Sequence, residues 1–175
     1  MVNSSSDVDP TPLAAVVRRP GEGRQIPRTS VLLKAEGRHS GGTLTVYEAT
    51  LGPRMAGPAR HLHRTGDESF YVLAGEMTFL VGEATHTLPA GSFVYVPHGV
   101  VHTFWNAGLE PARQLTFFTP SGIEEVFEAL GELRAEGGEP SFEAATALSE
   151  RLGISEHFPS ESNRPPYGPL DAEER

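Results

Sequence analysis

Through the middle of the chain, apolar and polar positions fall into short strand-like runs, some of them alternating with a period of two. Residues 29–35, 43–51, 68–73, 77–81, 85–88, 92–96, 100–106 and 113–118 are such runs. Turn-forming stretches separate most of them: GRHSGG, AGE, GEA, PHG and AGLEP. AGE and GEA have the composition of hairpin turns. Short strands at this spacing predict an all-β barrel or sandwich. No helical pattern falls between them, so a parallel βαβ design is disfavoured.

After residue 120 the period lengthens. Ser121-Gly-Ile-Glu124 reads as a capping box opening IEEVFEALGEL, with Ile123, Phe127 and Leu130 at helical spacing. Ser141 then reads as the cap of FEAATALSERL, closed by Gly153. Both helices are expected to pack on the outside or rim of the barrel. Residues 1–28, rich in Ser, Pro, Gly and Arg, read as a loose arm, and FPSESNRPPYGPLDAEER (158–175) as a Pro-rich tail. The expected organisation is an arm over 1–28, a β-barrel over 29–120, helices packed on it over 121–157, and the tail.

Composition then narrows the chemistry. The chain lacks cysteine, which removes disulfides, thiolate metal sites and cysteine nucleophiles. A bound metal would need imidazole and carboxylate. With 14 basic and 23 acidic residues the formal charge is −9, and no Lys/Arg cluster supplies the footprint of a phosphate-backbone binder. Nucleic acid and anionic membrane surfaces are disfavoured as partners. No secretory signal pattern or membrane-length apolar run is present, and a cytoplasmic protein is the expectation.

Candidate chemistry concentrates in HLHRTGDESFYVLAG, residues 61–75, and GSFVYVPHGVVHTFWN, residues 91–106. His61 and His63, two apart, leave the same face of an extended strand. Arg64-Thr-Gly-Asp67 reverses the chain, and Glu68 opens the next strand, an adjacent one on which it can sit opposite the pair. Alternation puts Glu68, Phe70 and Val72 on one face and Asp67 on the other. His102 follows the Pro97–Gly99 turn; Phe104 and Asn106 share its face, and Trp105 points away. Together His61, His63, Glu68 and His102 read as ligands of one divalent metal ion. Fe, Mn, Ni, Co, Cu and Zn all suit such donors. Phe70 and Phe104 are candidate substrate-pocket residues, while most of the other phenylalanines read as core. His98 in its turn reads as exposed, His86 as an ordinary strand residue, and His39 and His157 as loop residues.

The two segments resemble the paired motifs of the cupin superfamily. Its first, G-x5-H-x-H-x3-4-E-x6-G, is met by His61, His63, Glu68 and Gly75, but Met55 stands at the leading glycine, with Gly57 two places on. Its second, G-x5-P-x-G-x2-H-x3-N, is met by Gly91, Pro97, Gly99, His102 and Asn106. The resemblance covers roughly residues 30–120 and is similar to small single-domain bacterial cupins, within them to the quercetin 2,3-dioxygenase-like group. It implies an all-β jelly-roll barrel of antiparallel strands, often a homodimer, with the four matched residues as metal ligands. It further implies a dioxygenase acting with dioxygen on a small aromatic or enol-type substrate, Glu68 doubling as the base that takes the substrate's hydroxyl proton. Two other readings stay open: an isomerase, cyclase or decarboxylase that uses the metal without dioxygen, and a non-catalytic small-ligand-binding cupin.

Overall fold

The computed structural model describes residues 13–138 and 140–157. The expected tail over 158–175 lies outside them. Among the described residues, twelve strands and three helices follow in order: β1 (Arg24–Gln25), β2 (Val31–Ala35), α1 (Gly37–Ser40), β3 (Thr45–Leu51), β4 (Met55–Ala56), β5 (His61–Leu62), β6 (Asp67–Ala74), β7 (Glu76–Val81), β8 (Ala84–Pro89), β9 (Phe93–Val96), β10 (His102–Asn106), β11 (Ala112–Thr119), α2 (Ile123–Gly137), α3 (Phe142–Arg151) and β12 (Glu156–His157). The strands form two sheets, one ordered β1-β2-β3-β11-β6-β9 and the other β12-β5-β10-β7-β8, with β4 also against β10. Each of these pairings is antiparallel. The result is the expected all-β cupin-type jelly roll with short C-terminal helices.

The alternating pattern packs as read. In β3 (TVYEATL) Thr45, Tyr47, Ala49 and Leu51 are buried, and in β6 Glu68, Phe70 and Val72 point inward. These inner faces meet those of β7 and β10, where Met77, Phe79 and Phe104 join a single apolar core. No helix among the described residues is long and apolar enough to cross a membrane.

Several local expectations are corrected. The sheet begins inside the stretch read as a loose arm: β1 pairs β2, and Ile26 is fully buried in the core. Two paired residues are too short to leave a period in the sequence. GRHSGG contains one helical turn, α1, whose Glu36 and His39 form a capping box. AGE is a corner, not a hairpin: β6 belongs to one sheet and β7 to the other. Gly75 makes that corner at φ 70°, where an added Cβ would lie 2.8 Å from the Pro111 carbonyl oxygen. Finally, Ser121 does not cap α2. The N-cap is Gly122, and the Glu124 carboxylate accepts from the amides of Gly122 and Gly37 and from the Thr45 hydroxyl. Glu124 thereby ties the helix to β3, which a local capping box would not do.

GEA is a true hairpin turn between β7 and β8, and Ser141 caps α3 by accepting from the Ala144 amide at 3.2 Å. The helices lean on the barrel through Ile123 and Val126 of α2. His157 is not in a loop; with Glu156 it forms β12, paired to β5.

Candidate metal centre

His61, His63, Glu68 and His102 converge inside the barrel, all buried, with their ligand atoms within 4.8 Å of one another. His61 and His102 are direct cross-strand partners in β5 and β10. His63 lies just past the end of β5, and its carbonyl oxygen accepts from the Gly99 amide at 2.8 Å. That bond fastens the Pro97–Gly99 turn of the second segment to the histidine pair of the first. Glu68 differs from expectation in one respect. Its strand, β6, is not beside β5 but in the opposite sheet, so the carboxylate faces the three imidazoles across the barrel. The turn from Arg64 to Asp67 therefore crosses between sheets.

Each imidazole is oriented by a main-chain carbonyl at its far nitrogen. Nδ1 lies 2.8 Å from the Ala59 oxygen in His61, 2.7 Å from the Ile154 oxygen in His63 and 3.0 Å from the Val100 oxygen in His102. A carbonyl only accepts, so Nδ1 carries the proton and Nε2 is left with its lone pair. The Nε2 atoms of His63 and His102 then face Glu68 Oε2 at 3.2 and 3.0 Å. At these contacts the Nε2 lone pairs and Oε2 are thus acceptor facing acceptor. Such a cluster calls for a cation among its members, a proton or a metal ion. Three imidazoles and one carboxylate suit a borderline divalent ion, so the donor set fits the metal expected from the motifs.

The electrostatics agree. Burial, with the neighbouring His102 and His63, pushes the His61 imidazole well below its ordinary value. Burial also opposes a charge on His63, but the hydrogen bond and charge of Glu68 outweigh it and raise His63 above its ordinary value. Burial works against the Glu68 carboxylate, yet the contacts of His102 and His63 prevail and hold it far below the usual carboxylate range.

A residue outside both motifs completes the site. The Tyr47 hydroxyl donates to Glu68 Oε1 at 3.0 Å. Burial first, then the charge of Glu68, raise its phenol well above the ordinary value, so it stays a neutral donor. Thr116 bonds the same hydroxyl, and the Gln114 side-chain amide lies 3.4 Å from Thr116 Oγ1. Behind Glu68 runs a buried line of donors, which leaves Oε2 for the centre. Tyr47 could have been found in the sequence: it has the inward parity of β3, and a buried tyrosine needs a partner for its hydroxyl.

The remaining candidates fall as follows. Phe70 and Phe104 are buried, their rings 5.3 Å apart, and Phe70 lies 6.3 Å from the His102 ring. Phe79 packs against both, its ring 5.2 Å from Phe70 and 6.2 Å from Phe104, and all three belong to the apolar core. Asp67 points away from the centre, as its parity requires. It accepts from the Tyr95 hydroxyl at 2.6 Å and from the His98 amide at 2.9 Å, contacts that lower its carboxyl to about 2. His98 is exposed and His86 lies on an exposed strand. Asn106 serves structure: its side-chain nitrogen donates to the carbonyls of Leu51, Gly52 and Glu110, and its oxygen accepts from Gly108.

This geometry coincides with a match to the family described as "Cupin domain" over residues 47–118. Over those residues the chain is similar to the cupin family, and its fold is the cupin jelly roll. An uncharacterized Streptomyces coelicolor protein is 41% identical over 54 residues, 31% of this chain and 50% of that protein. The match thus spans about half of that relative's length. The solved structure of a predicted oxalate decarboxylase from Thermotoga maritima aligns with a TM-score of 0.53 at 18% identity, over 61% of this chain and 99% of its own. A Thermus thermophilus protein, TT1209, aligns with a TM-score of 0.52 at 21% identity, over 61% and 98%. At these identities the two likenesses carry the cupin fold and no more. Tyr47 and Phe118 bound the cupin match, and Ile154 lies beyond it.

Proposed function

We propose that this cupin is a mononuclear divalent-metal dioxygenase of the quercetinase type, acting on a small aromatic or enol-type substrate. The observation that carries the reading is the cluster of three carbonyl-locked imidazoles and one carboxylate around a single point. His61, His63 and His102 would hold the ion through Nε2 and Glu68 through Oε2. When bound, the ion supplies Lewis acidity to a substrate oxygen and a site for dioxygen chemistry. Glu68 remains a carboxylate through the neutral range, so it can accept the proton of a substrate hydroxyl. Tyr47 holds the other carboxylate oxygen during that transfer. The apolar wall of Phe70 and Phe104 excludes water and suits an aromatic ring.

A second reading rests on closure. The four ligands are only 2–4% exposed, and a site closed by its own ligands is the habit of structural metals. In that reading the chain is a ligand-binding or structural cupin.

Dioxygen uptake separates them. Chain loaded with Fe(II), Mn(II) or Ni(II) and offered a panel of flavonols and related enols should consume dioxygen, and Glu68→Gln should abolish uptake. Confirmed metal with no uptake across the panel refutes the dioxygenase. Anaerobic turnover would then point to Lewis-acid isomerase or decarboxylase chemistry, and ligand binding without turnover to the closed-site reading.

A further inference from the structure

The three carbonyls that orient the imidazoles are not equivalent. Ala59 and Val100 each stand two residues before the histidine they serve, so His61 and His102 are locked by the residues leading into their own strands. His63 has no such local partner. Its Nδ1 reaches Ile154, 91 residues on and beyond the cupin match.

Ile154 lies in a short segment that crosses the open edge of β5. Glu156 pairs with Leu62 and His157 with His61, which makes the segment the edge strand beside the ligands. α3 anchors it: the Ile154 amide donates to the Ser149 carbonyl at 3.2 Å, and the Ser149 and Ser155 hydroxyls are 2.9 Å apart. Leu148 is buried, and Leu152 and Ile154 pack against the core. Outside, Arg64 meets Glu156 at 2.7 Å, but both are well exposed and this pair contributes little. The link to His63 is therefore main chain and apolar packing.

We propose that residues 152–157 form a strap that positions His63, so that metal binding and docking of the strap are thermodynamically linked. The strap acts through His63 and touches neither substrate nor ion. Fixing the His63 ring with its Nε2 inward raises metal affinity, and by reciprocity a bound metal holds the strap down by the same factor. The inference rests on the metal-site reading above.

Two substitutions loosen the strap without touching a ligand. Glu156→Pro puts a residue with a fixed φ and no amide hydrogen into the paired strand β12. Gly153→Val forces a β-branched residue to φ 71° at a position where its Cβ meets nothing within 4 Å, so only the backbone is strained. Full-length protein is titrated with Co(II), following its visible absorption, and exchange of the 152–157 amides is measured with and without Co(II). The expected result is affinity lower by about 10–100-fold in both variants, a changed ligand-field spectrum, and slower wild-type exchange across the strap on adding Co(II). Unchanged affinity and spectrum in a variant with native circular dichroism, or wild-type exchange indifferent to bound Co(II), overturns the strap. If one variant fails to fold, the exchange measurement still decides. Wild-type protein that binds no Co(II) sinks the strap and the metal site together.

Discussion

Replacing Tyr47 by phenylalanine removes one oxygen and keeps the ring, which packs edge-on against Phe127 at 4.8 Å. The lost bond is the one to Glu68 Oε1, 3.0 Å long and buried. A hydrogen bond to a charged group contributes about 1.5–3 kcal/mol, and a buried oxygen stripped of its donor keeps the desolvation cost. Stability of the metal-free protein should fall by that amount, read as a lower denaturation midpoint with an unchanged denaturant slope. The carboxylate also loses what fixes its rotation, so Oε2 no longer presents one direction to the centre. Loss of an outer partner of this kind lowers metal affinity by about 10–100-fold, or about 1.4–2.8 kcal/mol. Isothermal titration with Mn(II) or Zn(II) measures it directly. Tyr71→Phe is the control, since Tyr71 is exposed on the outer face of the same sheet, and it should stay within about 0.5 kcal/mol. Thr116→Val should give a smaller loss of the same sign. If Tyr47→Phe binds metal as tightly as wild type, Glu68 is oriented by its strand and the histidines alone, and the donor line behind it is packing only.

Metal affinity should fall as pH is lowered from neutrality. His63 sits above its ordinary value of 6.5, so below that raised value a proton must leave before the ion enters, costing about tenfold per pH unit; a flat affinity from pH 8 to 6 would refute this. The same proton stabilises the metal-free fold at low pH, and that contribution is lost as pH rises through His63's raised value. Glu68, held far below 4.5, contributes stability above that value that is lost on acidification. Replacing His61, His63 and His102 together by alanine should remove the metal from purified protein by elemental analysis; retained metal would move the site elsewhere. Gly57→Ala should destabilise by about 1–3 kcal/mol, because its Cβ would fall 2.0 Å from the Phe104 carbonyl oxygen; an unaltered thermal midpoint would show that β4 and β10 separate freely. Homodimerisation is proposed through the outer aromatics Tyr71, Phe93 and Tyr95, all exposed on β6 and the edge strand β9; sedimentation should give a dimer that Phe93→Glu dissociates, and a monomeric wild type would refute it.

The convergence of His61, His63, Glu68 and His102 was legible in the sequence because local geometry decides which way they point. A period of two sends His61 and His63 to one side and Glu68, Phe70 and Val72 to another common side, whatever the strands later pair with. The Pro97–Gly99 turn does the same for His102. What parity does not contain is the assignment of strands to sheets. Expecting β6 beside β5 was natural for two runs joined by four residues, and the packing of two inner faces overrode it. The arm that turned into β1, and Ile26 beneath it, left no sign for a similar reason: a two-residue strand is created by its partner, not by its own pattern. The His63 contact is the far case of this rule. Any buried Nδ1–H must find an acceptor, and for His61 and His102 the acceptor travels with the motif, two residues upstream. For His63 it comes from a segment after α3, so the motif brings the four residues together but does not supply the whole site. A chain that shares the cupin domain without residues 152–157 must orient the corresponding imidazole by some other acceptor, and its metal affinity will follow that choice.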